Sequence, residues 1–324
     1  MRWLKLLIPL IVVIGGLYAG WYFKWSIFDW YRLQNYKPSS NISALAQETT
    51  MTPYAKRLFY AYHPQLDNAD QFNTKCNVRP QVIVLGCTVL GQGIYIYNVT
   101  DPDVNGIVQV TSAYEMLHVG YSMLSAQDRA NVDAMVMSAY TSLETKYPFL
   151  QTEEQSYLAT EGSAAVPNEL HSMLGTEVSD LPPALANYYK KYFNNRQAVV
   201  NYENMYQGAF LKRQQEVSDD DRQLESWQQQ IDSNENTLTV EQQQLQSQFA
   251  QLQQMQASGQ IQSYNAAVPG YNQAVNNYNT LVDQTKQLIN EYNALVVQRN
   301  SITLQVNNLY EAISSVPNTI TQAR

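Results

Sequence analysis

The sequence predicts an α+β protein in three parts: an N-terminal transmembrane helix, a compact mixed domain and a C-terminal antiparallel coiled-coil hairpin. Three observations predict it. Residues 6–23 carry no charge. Residues 81–99 contain two strand-like segments followed by a helix-like one. From residue 206 onward, apolar residues recur at heptad spacing through a Gln- and Asn-rich tract.

The expected anchor is residues 1–24. Arg2 and Lys5 precede the apolar run and Lys24 ends it. About eighteen residues at 1.5 Å each span roughly 27 Å, enough to cross a bilayer. Trp3, Trp21, Tyr22 and Trp25 flank the run as interfacial aromatics do. A cleaved signal peptide is the competing reading, but large residues (Leu17, Tyr18) stand two before Ala19 and Gly20. The basic N-terminal flank places the rest of the chain outside, as a single-pass protein of the cell membrane with the membrane itself as one partner. Residues 25–50 read as a juxtamembrane linker with Lys37-Pro38-Ser39-Ser40 as its turn.

Residues 51–205 read as the mixed domain. Gln81-Val82-Ile83-Val84-Leu85-Gly86 is strand-like, and Gly93-Ile94-Tyr95-Ile96-Tyr97-Asn98-Val99 alternates as a second strand. Asn105-Gly106 turns the chain into a helix over 107–124, where Val110, Ala113, Leu117, Tyr121 and Leu124 recur at helical steps. Further helices are expected over 126–147, 153–161, from Pro167, and over 184–193. Cys76 and Cys87 fit one disulfide in an exported chain; two reduced thiols are the alternative if the topology is inverted.

The hairpin is expected over 206–315, with a tail at 316–324. Phe210, Val217, Leu224, Ile231, Leu238, Leu245 and Leu252 keep a seven-residue interval. Ala274 through Ile313 alternates steps of four and three, the a/d seam of a coiled coil. Pro269-Gly270 is the expected break between the arms. Asn234, Glu241 and Gln248 interrupt the first arm's second seam position, which leaves it soft and open to a protein partner. The net charge of −8 speaks against nucleic-acid binding.

The chemistry lies at Ala113-Tyr114-Glu115-Met116-Leu117-His118 and at Asn168-Glu169-Leu170-His171-Ser172. The first is an H-E-x-x-H pattern with tyrosine at the first histidine. The second is similar to the N-E-x-x-S element of thermolysin-like gluzincins. Together with the preceding strands, the two segments resemble the active-site half of zincin metallopeptidases, over roughly residues 75–195. That resemblance implies Glu115 as general base, His118 and Glu169 as zinc ligands and His171 as an oxyanion donor or replacement ligand. Glu177 becomes an alternative third ligand or a supporting partner.

Tyr114 is the departure. A phenol has a pKa near 10, so binding zinc as phenolate near pH 7 costs roughly 4 kcal/mol before any bond to the metal. Tyr114 is read as a core aromatic with the metal lost, against replacement by His171 or ligation by the phenolate itself. An unrelated fold in which Glu115 and His118 merely share a helix is the remaining alternative. The expectation is a degenerate, inactive peptidase-like domain without a cofactor. If the site functions, the cofactor is zinc and the chain a zinc-dependent peptidase.

Overall fold

Ser39 and Thr52 start the first two helices by the same device. The structure, a computed structural model, describes residue 16 and residues 30–34, 36–78 and 83–316. The Ser39 hydroxyl accepts from the Ile42 amide at the head of α1 (Ser40–Glu48). The Thr52 hydroxyl accepts from Ala55 at the head of α2 (Pro53–Ala61). Each satisfies an amide that the helix start leaves without a partner. Asn68 opens α3 (Ala69–Lys75) with a reciprocal capping box through Gln71.

Three short strands follow the order β1-β3-β2. β1 (Gln65–Asp67) runs parallel to β3 (Gly93–Tyr97), and β2 (Gly86–Val89) runs antiparallel to it. A disulfide between Cys76 and Cys87 ties the end of α3 to β2. β2 starts at Gly86, later than its β-branched run predicts, although the Leu85 carbonyl before it still accepts from the Tyr97 amide at 2.8 Å.

The remaining elements of this part are helices: α4 (Ile107–Ser122), α5 (Ala126–Leu143), α6 (Phe149–Thr160), α7 (Val166–Thr176) and α8 (Pro183–Tyr189). α4 sits at the centre and packs against α1, α2, α7, β2 and β3. Its sequence explains this, since Val110, Ala113, Met116, Leu117 and Val119 are buried around most of the helix. α7 lies directly on α4. A Cβ at Gly175 would stand 2.4 Å from Leu117 Cδ1 and 2.9 Å from the Tyr189 ring, so only glycine permits this approach.

Two long helices complete the chain, α9 (Arg196–Ala257) and α10 (Ile261–Ile313). The chain divides into a globular unit, through Ala209 with Leu309 onward, and a second unit, Phe210–Asn308. Within the second unit the helices pair antiparallel. Phe249 meets Tyr271, Arg299 pairs with Asp221, and Arg213 donates to Gln305. These pairs are centred on residues 259–260, which fixes the turn. Gly259 takes φ 75°, and the Gln260 amide reaches back to the Met255 carbonyl at 3.0 Å. This is a left-handed helix stop of the kind glycine favours. Pro269, the expected break, lies inside α10 instead.

One expectation is overturned. The protein is not α+β: it is 75% helical, and among the described residues its strands are three and short. Among the described residues no helix is long and apolar enough to cross a membrane. The apolar run over 6–23 lies outside the described residues, Gly16 apart, as does the tail from residue 317. The expected linker also carries core residues, because Ile42, Leu45 and Ala46 of α1 are buried.

The disulfide closes a loop with a sequence separation of 11. Loops of that size restrict the unfolded chain by about 2–3 kcal/mol. Cys76→Ser with Cys87→Ser is expected to lower unfolding stability by about that amount, measured by chemical denaturation of the full chain. Unchanged stability would mean that the bridge constrains nothing.

Candidate functional site

Helical periodicity puts Tyr114 and His118 one turn apart on α4, with Glu115 beside them on the adjoining face. Glu169 comes from the first turn of α7, the helix that Gly175 admits against α4. The Tyr114 hydroxyl donates to Glu169 Oε2 at 2.8 Å, and His118 Nε2 lies 3.5 Å from the same oxygen. The Tyr114 and His118 rings meet edge to face, with centroids 4.9 Å apart. Tyr157, from α6, shares a hydrogen bond of 3.1 Å with the Tyr114 hydroxyl.

Glu115 faces the sheet. Thr88 of β2 donates to Glu115 Oε2 at 2.9 Å. A Cβ at Gly86 would lie 2.7 Å from Glu115 Oε1, so glycine leaves room for the carboxyl there. Burial pushes the Glu115 carboxyl up to about 7, against the opposing pull of His118 and the Thr88 hydroxyl. Burial likewise raises Glu169, although His118 and the Tyr114 hydroxyl pull it down. The Tyr114 phenol is held well above its ordinary value by burial and by the carboxylates around it, Glu169 foremost.

The other two expected site residues lie apart from this cluster's hydrogen bonds. His171 is fully buried in an aromatic nest of Tyr121, Tyr188, Tyr189 and Tyr192. Its Nε2 is 3.0 Å from the Tyr188 hydroxyl, and burial lowers its pKa to about 3. A neutral imidazole enclosed by tyrosines is a packing residue with no exposed face for an oxyanion or a metal. Glu177 caps the C-terminal end of α7. Burial and the carboxylates of Glu203 and Glu153 hold it well above the usual carboxylate range. Its electrostatic partner is therefore Glu203, at the root of α9.

Zinc does not fit the donors that converge here. Catalytic zinc sites take three protein ligands. Here His118 and Glu169 supply two, and the third position is a buried phenol whose proton is spent on Glu169. Among the described residues no three His, Cys, Asp or Glu side chains come together as a metal-binding group. His118 Nδ1 has no hydrogen-bond partner, whereas metal-bound histidines usually donate that proton to a supporting group. The arrangement can hold a proton at Glu115 and bind polar groups, and it offers no strong electrophile.

Thr88 and Tyr157 complete the cluster, Glu203 faces Glu177, and none of the three was legible in the sequence. Each comes from a separate element, and no spacing relates them to the two motifs. Comparison with protein-family models, curated proteins and solved structures finds no match to this chain.

The raised Glu115 pKa has a stability consequence. Folded chain keeps this proton up to about pH 7, while an unfolded glutamate loses it near its ordinary 4.5. The contribution is therefore full below about pH 4.5 and lost as pH rises through 7, amounting to on the order of 3 kcal/mol. Glu203, raised to about 7 by burial, acts in the same direction. Glu115→Gln is expected to unfold at higher denaturant than wild type at pH 8 and to narrow the gap between pH 5 and pH 8. An unaltered pH profile would show that Glu115 titrates normally.

Proposed function

We propose that the chain is an exported, non-catalytic binding protein whose globular unit is a degenerate zincin-like domain. The observation that carries this reading is the hydrogen bond from Tyr114 to Glu169. It gathers the two motif segments at one point, as the zincin resemblance implies, and uses a phenol where a peptidase needs a ligand. Without a metal to polarise water and the scissile carbonyl, Glu115 alone is a general base with nothing to act on.

The Cys76–Cys87 disulfide supports an oxidising compartment. The paired helices of the second unit suit contact with a protein partner or spacing from a surface. Their seam is soft: Asn234 and Glu241 are only half-buried in it, and Glu241 Oε2 has no partner. Large apolar side chains stand exposed along both helices, including Val240, Phe249, Val297 and Leu304. Exposed apolar residues of this size are the usual raw material of a protein interface.

The test is a peptidase assay of the purified full chain after growth in zinc-replete medium. The expected result is no zinc and no cleavage of a mixed peptide library, identical for wild type and Glu115→Gln. Stoichiometric zinc with cleavage that Glu115→Gln abolishes would overturn the reading.

A further inference from the structure

We infer that the turn between β2 and β3, together with Trp30 and Tyr31, is a membrane-facing surface that seats the globular unit on a lipid bilayer. Such seating needs the apolar run over 6–23 to enter that bilayer and is indifferent to the state of the zincin-like site.

Trp30, Tyr31 and Leu90 are 63%, 73% and 62% exposed, the highest values among the described large apolar side chains of the globular unit. They lie far apart in sequence, yet one side chain ties their segments together. Arg32 donates from Nη1 to the Gly91 carbonyl at 2.7 Å and from Nη2 to the Gln92 carbonyl at 2.6 Å. The Arg32 backbone is itself held: His63 Nε2 donates to its carbonyl at 2.9 Å, and Leu33 packs against the core. The exposed aromatics and the exposed leucine are thereby gathered on tethered segments instead of scattered, and gathered apolar surface of this kind marks an interaction site.

A bilayer is the occupant that chain length, residue type, charge and backbone satisfaction all fit. Trp30 stands seven residues after Phe23, the end of the uncharged run. Seven residues extend to at most about 25 Å, so the surface begins within that distance of the run's end. Tryptophan and tyrosine, with an apolar ring and a polar tip, are the side chains that membrane interfaces collect. Residues 83–100 carry no charged side chain, and residues 30–36 carry Arg32 alone, in a chain of net charge −8. No carboxylate in these segments would have to shed its water against lipid. A turn close to hydrocarbon cannot leave its carbonyls to solvent. Here Arg32 serves those of Gly91 and Gln92, and the Gln92 amide serves that of Val89 at 2.9 Å.

The experiment places one dansylalanine at position 90 of the full chain by nonsense suppression. The chain is reconstituted into vesicles of phosphatidylcholine and phosphatidylglycerol in equal parts, and into matching vesicles with brominated acyl chains. The same probe at Leu158, an exposed leucine on α6, which packs on α7, is the control. Position 90 is exposed, so the probe there disturbs no packing. The chain is expected to float with the vesicles, with emission from position 90 shifted to the blue and quenched by bromine, and emission from position 158 unchanged. Arg32→Ala is expected to keep flotation and to reduce quenching at position 90. A floating chain whose position 90 is unquenched overturns the inference. A blue shift without quenching also overturns it, because a second copy or another protein segment then covers the turn. Equal quenching at both positions overturns it as well, since the unit would then have no preferred face. A chain that does not float overturns it together with the expected anchor. None of these results touches the non-catalytic reading, which zinc content and cleavage decide.

Discussion

The packing of α7 on α4 is the constraint on which the globular unit depends. Gly175 lies so close to the buried Leu117 and Tyr189 side chains that any larger residue would have to displace one of them. That approach brings Glu169 within reach of Tyr114 and His118. It also encloses His171 among four tyrosines, and the Tyr189 hydroxyl, at 2.5 Å from the His171 carbonyl, ties α8 into the same layer. Arg196 then fixes the end of α7, donating to the carbonyls of Leu174, Val178 and Ser179. Leu174 is one of the last four residues of α7, whose carbonyls a helix end leaves without intrahelical donors, and Val178 and Ser179 lie in the segment just after it. The first turn of α9 is therefore anchored by the C-terminus of α7.

Electrostatics in this layer follow a single pattern. Glu115, Glu169, Glu177 and Glu203 all hold their protons more tightly than ordinary carboxyls, and burial is the main cause each time. Their hydrogen-bond donors are neutral: the Thr88 hydroxyl for Glu115, the Tyr114 hydroxyl for Glu169, and Tyr206 with Gln207 for Glu203. A hydroxyl solvates a carboxylate without cancelling its charge, so the cost of burial prevails. A metal ion would invert that balance, since a divalent cation is the largest charge in any site it occupies. The abundance of tyrosine, 24 residues, is thus legible as chemistry as well as packing.

Much of this was open to a reader of the sequence, for physical reasons that differ by element. The heptad seam was legible because its period is the geometry itself. Ala274, Tyr278, Leu281, Thr285, Leu288, Tyr292 and Leu295 all turn away from solvent in α10. The turn was misplaced because Pro269-Gly270 is a strong local breaker, while Gly259, the actual stop, sits in a tract with no other punctuation. Cross-helix pairing decides between them, and that is a long-range property. The first strand was placed early because Gln81–Gly86 has strand-like composition, whereas β2 runs Gly86–Val89, and β1 was missed because three residues are too few to show an alternation. At the site, the pairing of α4 with α7 followed from two motifs. His171 misled because a histidine inside a motif looks chemical, whereas its fate was set by tyrosines from α4, α8 and the segment after it.

Tyrosine at position 114 supplies a donor to a buried carboxyl while filling the core around it. Glu169 is a carboxyl enclosed between two helices, and a group of that kind left without a donor costs about 1–3 kcal/mol. Phenylalanine would fill the same volume and strand it. Serine or asparagine would bring a donor, but on too short a side chain to reach across from α4. Tyrosine alone among the uncharged residues combines a core-filling ring with a donor at that length, and Tyr157 accepts or supplies the second hydrogen bond. Tyr114 thus joins α4 to Glu169 of α7 and to Tyr157 of α6 through one hydroxyl, without loss of packing.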